Sequence, residues 1–498
     1  MPKRLLIILL TILSMLSGAR ATLAQTTALV TITVIHTADE HGWLEAFTPR
    51  DTAEIRGGAA NIYSWWVENE GYDPATFLLL SSGDNWTGPA LSTTTQGAAM
   101  VEAFNVMGYD ASAIGNHEFD FGREVMEQRF AEADYPYLSA NIRYADSGAA
   151  VDFALPYVIQ EVNGVSVGII GLTQQWAGRL TNPAFTGDLV FDDYAEALST
   201  YVPQMRDEGA AIILVLAHAC PGELASLARD FGDQIDALFA GHCHEVSTAE
   251  INGAPILSSG EYWGSYSRLT LTYDPVAGTI NALDYATVEV AYPTGAVNPV
   301  TPAADLVDLV DRWQAEIGAQ LDAEIGYTAA GIERGRPAMG NWITDSWLWA
   351  FPEADIAITN WGGMRQDLPA GVITVGDIVG IMPFDNTLVL VEITGAQVAE
   401  NLACCGGAVA GITYTIAGGE VRLWRADGSE LDPAATYYVL LNDFMYNGGD
   451  GYLFGEQDPA GYNTGISWRQ PLIDYLLALA TTPEDPLENY LDTANRGR

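Results

Sequence analysis

Six histidines lie at or just beyond the ends of apolar, strand-like runs. They are His36, His41, His117, His218, His242 and His244. Imidazole binds divalent metals and exchanges a proton near neutral pH. A single histidine is more often a satisfied core or surface residue, but six in one structural context indicate a shared chemical site.

Carboxylates accompany the histidines. Asp39 and His41 are two residues apart in an extended segment, where side chains i and i+2 point the same way and can bind one ion. Asp84 follows the apolar run Phe77–Ser81, and its two oxygens could bridge two metals. Mixed carboxylate, amide and imidazole ligands suit Zn, Mn or Fe better than Ca.

The segment Gly115–Asp120, Gly-Asn-His-Glu-Phe-Asp, follows the apolar run Ala111–Ile114. This pattern is typical of a buried strand that ends in a loop, and ligands bind at the carboxyl ends of strands in α/β sheets. Asn116 offers a neutral oxygen ligand. His117 can bind a metal or move a proton, and Asp120 could orient that imidazole.

Strands and helices alternate along the first half of the chain and must position these groups. The predicted strands are Thr31–His36, Phe77–Ser81, Ala111–Ile114, Val165–Gly171, Ala211–His218 and Ala237–Ala240. The predicted helices between them are Gly97–Met107, Glu124–Ala133, Asp193–Arg206 and Gly222–Phe231. Turn signals at Asn163-Gly164 and Asn252-Gly253 add hairpins. The pattern predicts an α/β layered domain.

At 498 residues the chain is too long for one ordinary core, which predicts two large domains. Residues 1–24 are typical of a secretory signal, with a basic start, the apolar stretch Leu5–Leu16 and small residues at plausible cleavage sites. That stretch is shorter than the roughly 20 residues that span a bilayer. We therefore expect an exported protein, periplasmic or extracellular, without a transmembrane anchor.

The net charge of −43 argues against a nucleic acid polymer as partner, because such binding needs basic patches. Lys3 is the only lysine, which excludes a lysine-containing phosphate loop and Schiff-base chemistry. The acidic surface would also repel a small anionic substrate at long range. Such a substrate must therefore be held by nearby arginines or by metal ions.

Four cysteines, Cys220, Cys243, Cys404 and Cys405, could form disulfides in an exported protein, but their pairing is open. A bridge between Cys220 and Cys243 is plausible, and each lies within two residues of a candidate metal-ligating histidine. Cys404 and Cys405 are either a vicinal disulfide or two free thiols.

A shift to Pro, Thr, Gly and Asn around residues 292–302 marks a boundary. We predict a first domain over residues 30–290 and a linker with a bridging helix over residues 291–325. A second domain over residues 326–498 is mixed α/β, with a hairpin near Ile412–Arg425.

The ordered motifs Asp-x-His, Gly-Asp, Gly-Asn-His-Glu, His and Gly-His-x-His resemble the calcineurin-like metallophosphoesterase family, over roughly residues 32–244. The resemblance implies a four-layer α/β/β/α domain with two divalent ions, such as Zn or Mn, that share Asp84. One ion would also bind Asp39, His41 and His244, and the other Asn116, His218 and His242.

In the same family pattern His117 binds no metal. It would stabilise developing charge or protonate the leaving group, oriented by Asp120. The chain departs from the nucleotidase branch at Ala38, where that branch usually has Asn. This change puts a hydrogen bond to the metal ligands in doubt, but it replaces none of the ligands themselves. His36 has no place in this scheme; it either supports the ligands from outside the cluster or is simply a strand residue, and the second interpretation is preferred.

Three stretches of the second half resemble the C-terminal domain of 5′-nucleotidases. They are Asn360–Arg365, Met382–Phe384 and the glycine-rich Asn442–Tyr452. Each alone is weak, because Gly-Gly pairs make ordinary turns and phenylalanines fill cores. In this order, and after the first domain, the resemblance covers nearly the whole mature chain and implies a mixed α/β C-terminal domain.

This resemblance implies the substrate contacts. Phe384 and Phe444 would sandwich a nucleobase, as aromatic stacking on a flat base allows. Asp450 would contact the ribose, and Asn360 would reach the base or its surroundings. Arg365 would grip phosphate through its planar fork of donors.

A further family arginine is expected just before the helix that begins near Met339. Arg334 and Arg336 straddle the expected position by one residue, and Arg336 is the preferred candidate. Arg56, in the first domain, is another candidate to face the phosphate.

Together the resemblances imply a phosphohydrolase that releases phosphate from nucleoside 5′-monophosphates by a metal-activated water, with UDP-sugars as further possible substrates. Cyclic 2′,3′-nucleotide phosphodiesterases share the fold and stay open as an alternative, whereas the aromatic pair argues against the thiosulfate-releasing branch. A catalytically silent nucleotide-binding surface protein is disfavoured by the complete ligand set. Metal identity, base preference and oligomeric state stay open.

Overall fold

The computed structural model describes residues 29–49, 52–418 and 420–497, so the predicted signal at residues 1–24 lies outside the described part. Two six-stranded sheets form the core of the first half. The first sheet has the spatial order Thr279–Glu289, Ser265–Asp274, Val30–Thr37, Phe77–Ser81, Ala111–Ala113 and Tyr137–Leu138. The second has the order Val246–Ile251, Ala254–Ser259, Ala237–Ala240, Ile212–Ala217, Val165–Leu172 and Tyr157–Val162.

The two sheets face each other because apolar side chains alternate along their central strands. Val34 packs in the layer between the sheets, whereas its neighbour Ile35 packs against the helices outside. Leu214 and Val215 divide in the same way on the second sheet. Successive side chains of a strand point to opposite faces, so each sheet is buried on both faces.

Helices cover the outer faces of both sheets. The first sheet is covered by Ala59–Trp65, Ala98–Met107 and Arg123–Glu132, and the second by Tyr194–Asp207 and Pro221–Phe231. A π-helical turn, Trp66–Glu70, extends the first of these. Shorter helices in the loops are Ala90–Thr94, Ala177–Leu180 and Pro183–Thr186. The first half is therefore a four-layer α/β/β/α arrangement, which confirms the expected fold.

All the predicted strands of this half are present with small shifts of their ends. The Asn163-Gly164 and Asn252-Gly253 turns join antiparallel neighbours, as predicted. The sequence pattern does not single out the antiparallel pair Ser265–Asp274 and Thr279–Glu289. The outer strand, Thr279–Glu289, is largely exposed at the sheet edge, so its apolar alternation is weak.

The second half contains a five-stranded sheet with helices on its faces. Its spatial order is Ala408–Ala410, Ile356–Thr359, Thr436–Asn442, Thr387–Thr394 and Tyr462–Ser467. Its helices are Pro337–Ala350, Val375–Ile381, Gly395–Cys405, Asp443–Tyr446, Phe454–Gln457 and Gln470–Leu479. Separate apolar cores fill the two faces of the sheet.

Four two-stranded sheets complete the part of the chain that the structure describes. They pair Glu54–Arg56 with Ala291–Pro293, Ile142–Tyr144 with Leu189–Phe191, Glu324–Thr328 with Gly371–Thr374, and Ile412–Ala417 with Glu420–Arg425. The last pair is the predicted hairpin.

The predicted bridging helix spans Ala304–Leu321. It packs against Ala59–Trp65 and Ala98–Met107 of the first half and against Val375–Ile381 of the second. Within the described ranges, no helix has both the length and the apolar character needed to cross a bilayer.

Candidate functional site

The candidate metal ligands meet at the carboxyl ends of parallel strands. Asp39 and His41 follow Val30–Thr37, and Asp84 follows Phe77–Ser81 in the adjacent strand. On the facing sheet, His218 follows Ile212–Ala217, and His242 and His244 follow Ala237–Ala240. Because the two sheets lie face to face, their strand ends bring all six side chains together, as expected for a site in an α/β fold.

One group of ligand atoms surrounds His41. Its Nε2 lies 3.2 Å from His244 Nε2 and 3.8 Å from Asp84 Oδ2. Asp39 Oδ1 lies 3.6 Å from His244 Nε2. The ligand atoms of Asp39, His41 and His244 all lie within 4.8 Å of one another.

A second group surrounds His218. Its Nε2 lies 3.0 Å from Asp84 Oδ2, 3.2 Å from Asn116 Oδ1 and 3.2 Å from His242 Nδ1. Asp84 Oδ2 therefore lies between the two groups. A cluster of carboxylate, amide and imidazole atoms that converge in this way could hold divalent metal.

Hydrogen bonds on the far side of the rings select the nitrogen that faces the cluster. His41 Nδ1 lies 3.0 Å from the carbonyl oxygen of Thr87, and His218 Nδ1 lies 2.9 Å from that of Ser82. Each Nδ1–H donates to its carbonyl, which leaves Nε2 with a lone pair for a ligand bond. Glu261 contacts His244 Nδ1 and has the same effect there.

The cluster depends on backbone conformations that non-glycine residues rarely adopt. Positive φ angles of 44° to 71° occur at Asp39, His41, Asp84, His242 and His244. Each costs on the order of 1–3 kcal/mol and persists only where the surroundings enforce it. Backbone hydrogen bonds between the loops supply part of that restraint, from Asp39 N to Gly83 O at 3.0 Å and from His41 N to Asp84 O at 2.9 Å.

Two buried glutamates hold these loops and were not identified from the sequence as functional. Glu118 accepts hydrogen bonds from the backbone amides of Gly115, Asp84 and Asn85 at 2.6, 3.0 and 2.7 Å. Glu40 accepts from Asn85 Nδ2 at 2.9 Å. Burial raises the pKa of Glu118 to about 7 and that of Glu40 to about 8. The only sequence signal is their position next to candidate ligands.

Burial and neighbouring charges shift the pKa values of the clustered groups in opposite directions. Burial by itself would raise the pKa of Asp84, but the positive charges available at His218 and His117 hold it well below its usual range. Burial would lower the pKa of His218, yet the Asp84 carboxylate raises it well above its usual range. A fully buried carboxylate of this kind needs compensating positive charge.

One ring nitrogen of His117 is held by a carboxylate, and the other is directed towards the cluster. Its Nδ1 lies 2.7 Å from Asp120 Oδ2, while its Nε2 lies 4.0 Å from Asp84 Oδ2. Burial lowers the pKa of His117, but the carboxylates of Asp120 and Asp84 outweigh that effect and raise it. Its ring also stacks on Phe384 of the second half, with centroids 5.8 Å apart.

One cleft joins the cluster to the second half of the chain. It encloses a cavity of about 210 Å³. From the first half its wall includes Asn116, His117, Asp120, Asn182, Phe185 and His242; from the second it includes Asn360, Arg365, Phe384, Phe444, Asp450 and Trp468. Five of the six substrate residues expected from the sequence therefore line this wall.

The polar residues of the second half form a chain beneath the cleft. Asn442 Nδ2 donates to Asn360 Oδ1 at 3.0 Å, and Asn360 Nδ2 donates to Asp450 Oδ2 at 3.1 Å. Asp450 has a φ of 55°, so its position also depends on a strained backbone. Asn360 thus fixes the orientation of the Asp450 carboxylate.

Comparison with known proteins agrees with this geometry. The family model of the 5′-nucleotidase C-terminal domain matches residues 317–456. The chain is 28% identical over 508 residues to the 5′-nucleotidase of Vibrio cholerae, with 90% of each covered. The solved 5′-nucleotidase precursor of Thermus thermophilus superposes with a TM-score of 0.81 at 25% identity, covering 94% of this chain and 99% of the other. The chain is thus similar to 5′-nucleotidases over nearly its whole length.

A longer protein is also similar. The endonuclease YhcR of Bacillus subtilis is 28% identical over 457 residues, which make up 84% of this chain but 37% of YhcR. The chain thus spans about a third of that relative and nearly the whole of the Vibrio protein.

The four candidate arginines lie in different surroundings. Arg365 lines the cleft, and its charge is one of the causes, after burial, that lower the pKa of His41. Arg336, the preferred second arginine, is not among the cleft-lining residues; its Nε donates to Glu333 at 2.9 Å and its side chain is 66% exposed. Arg334 is also not among the cleft-lining residues; its Nη1 donates to the backbone carbonyl oxygen of Arg365 at 2.8 Å. Arg56 pairs with Glu54 and Glu289 instead.

Both pairs of cysteines form disulfides, Cys220–Cys243 and Cys404–Cys405. This settles the pairing that the sequence leaves open.

His36 is a strand residue, as interpreted, and its Nε2 lies 2.8 Å from the hydroxyl of Ser82. The carbonyl of the same Ser82 accepts from His218 Nδ1, so His36 supports the ligand cluster indirectly, through Ser82.

Proposed function

We propose that this protein is a dimetal phosphohydrolase that releases phosphate from nucleoside 5′-monophosphates. The observation that carries the proposal is the single cleft in which Asn116, His117 and His242 share a wall with Phe384 and Phe444. A nucleotide has a phosphate at one end and a flat base at the other, so its site needs both kinds of group. The similarity to the 5′-nucleotidase of Vibrio cholerae supports this assignment.

We assign two ions to the two groups of ligand atoms. Asp84 is shared; the first ion adds Asp39, His41 and His244, and the second adds Asn116, His218 and His242. Two divalent ions held there would polarise the phosphoryl group and lower the pKa of a coordinated water.

His117 and Arg365 act on the phosphate from the protein side. Asp120 accepts the Nδ1 proton of His117, so Nε2 is the atom that faces the substrate. A proton at Nε2 can neutralise charge that develops on the leaving oxygen or be transferred to it. The Arg365 guanidinium offers paired donors to the phosphate oxygens.

The second half recognises the nucleoside. Phe384 and Phe444 stack on the base, since both rings line the cleft. The Asp450 carboxylate, oriented by Asn360, accepts hydrogen bonds from the ribose hydroxyls. Residues 30–290 then form the catalytic domain and residues 326–498 the recognition domain, linked through residues 291–325. We further propose that the mature protein acts after export, outside the cytoplasm.

Hydrolysis assays on purified protein test the proposal. AMP, UMP, ADP, a UDP-sugar, a 2′,3′-cyclic nucleotide and p-nitrophenyl phosphate are compared with added Mn²⁺ or Zn²⁺ and with a chelator. We expect metal-dependent release of phosphate from AMP or UMP at the highest kcat/KM. Preference for the cyclic nucleotide would reassign the protein to the phosphodiesterases. Nucleotide binding without any hydrolysis would support the silent binding protein.

A further inference from the structure

The disulfide Cys220–Cys243 joins two loops that carry candidate metal ligands. Cys220 lies two residues after His218, and Cys243 lies between His242 and His244. The loops follow adjacent parallel strands, in which Ala217 pairs with Ala240. The bond therefore links both ion sites, since His244 belongs to one group and the other two histidines to the other.

The loop around Cys243 needs an external restraint. Both neighbours of Cys243 have a positive φ, 71° at His242 and 55° at His244. Its backbone amides donate from Gly241 N to Ala219 O at 3.2 Å, from Cys243 N to Gly241 O at 2.8 Å within the loop, and from His242 N to the Asp39 carboxylate at 3.0 Å. The last of these depends on a side chain that is itself a candidate ligand, so it cannot hold the loop independently of the metal.

The other end of the bond is anchored rigidly. Cys220 precedes the helix Pro221–Phe231, and its backbone amide donates to Glu223 Oε2 at 3.0 Å. The Cys220 carbonyl accepts the amide of Glu223 at 3.0 Å. Leu224 and Leu227 of this helix are buried in the core of the second sheet. The disulfide thus ties a strained ligand loop to a helix that is fixed by packing.

We propose that Cys220–Cys243 is a clamp that keeps His218, His242 and His244 in position for metal binding. It also keeps the two sulfurs from acting as thiolates, which would compete as soft ligands for Zn²⁺ next to the histidines. The inference rests on the proposed metal ligands. Cys243 is exposed and Cys220 half-buried, so the bond is accessible to a reductant.

The first test removes the bond by substitution. Wild type and Cys220→Ala/Cys243→Ala are loaded with Mn²⁺, excess EDTA is added, and the metal retained by the protein is followed over time by elemental analysis. Changes behind metal ligands typically cost 10- to 100-fold in affinity, so we expect the half-time of metal loss to shorten by at least about tenfold. The matched control Cys404→Ala/Cys405→Ala, which removes the disulfide of the second half, should retain Mn²⁺ as wild type does.

A second arm avoids any folding defect of the double variant. In the Cys404→Ala/Cys405→Ala background, tris(2-carboxyethyl)phosphine and one water cleave only the Cys220–Cys243 bond; the water supplies the hydrogens of the two thiols and the oxygen of the phosphine oxide. Mn²⁺ is used because thiolates bind this hard ion poorly. Circular dichroism verifies that the fold is intact. We expect faster metal loss after reduction and slow loss again after reoxidation.

The possible outcomes distinguish a failure of the proposed disulfide clamp from a failure of the proposed metal centre on which it rests. If wild type holds Mn²⁺ and removal or reduction of the bond leaves the half-time unchanged, the clamp is refuted and the proposed metal centre stands. If wild type retains no added metal, the metal centre and the clamp are both refuted. A fall in the thermal midpoint of the metal-free protein alone, with unchanged metal loss, would show a disulfide that only stabilises the fold.

Discussion

The two aromatic rings of the cleft should differ in what they contribute, although both are proposed to stack on the base. Phe384 also packs against the ring of His117, at 5.8 Å between centroids. Phe444 instead lies against Gly449, where an added Cβ would come within 2.3 to 2.6 Å of three ring atoms. Truncation of Phe384 should therefore disturb both the recognition of the base and the position of His117. Truncation of Phe444 should disturb the recognition of the base alone.

The expected size follows from the stacking energy. Loss of one aromatic face costs about 1–3 kcal/mol per base, which is about 5- to 150-fold in kcat/KM for a nucleotide. Phe444→Ala should lose this amount for AMP and almost nothing for p-nitrophenyl phosphate. Phe384→Ala should lose a similar amount for AMP and also slow the small ester, because His117 loses its neighbour. Gly449→Ala should resemble Phe444→Ala, since the methyl group forces the Phe444 ring to move.

The assay is steady-state kinetics of each variant with AMP and with p-nitrophenyl phosphate at saturating metal. Tyr462→Ala is the matched control, because it removes a ring on the edge strand of the five-stranded sheet that is 67% exposed and is not among the cleft-lining residues. An equal loss for both substrates in Phe444→Ala and Gly449→Ala would show that the ring is structural. The nucleotide assignment would then lose its main support, and only a metallophosphoesterase of unknown substrate would be left.

Asp84→Ala should abolish hydrolysis, because it removes the one carboxylate that lies between both ligand groups; near wild-type turnover would refute the shared ligand. His117→Asn should lower kcat by at least about a hundredfold with metal content unchanged by elemental analysis, and loss of metal would make His117 a ligand. Glu118→Gln should weaken Mn²⁺ binding about 10- to 100-fold in a calorimetric titration, because an amide nitrogen cannot accept the loop N–H bonds. The half-buried Asp236, which accepts from Ile213 N at 2.7 Å, gives the control Asp236→Asn, and equal affinities in both variants would contradict the role of Glu118.

Local patterns in the sequence determined the elements of the first half and the types of residue at their ends. Apolar alternation predicts strands such as Val30–Thr37 and Ile212–Ala217 because the period of side-chain direction is a property of the strand itself. A polar residue just after such a strand, as for Asp84 and His218, is predicted to lie at the carboxyl ends of the strands. The candidate metal ligands could be found in this way because each strand and the loop that follows it are adjacent in the chain.

The tertiary structure alone decided which distant groups meet. Glu118 is an ordinary acidic residue in the sequence, and only the fold makes three amides from two separate loops converge on it. Arg334 and Arg336 are equivalent in sequence, and only the direction of each side chain separates the one beside Arg365 from the one paired with Glu333. The contact between His117 and Phe384 spans the two halves of the chain. Such contacts depend on how separately folded layers pack, and no local periodicity in the sequence encodes that packing.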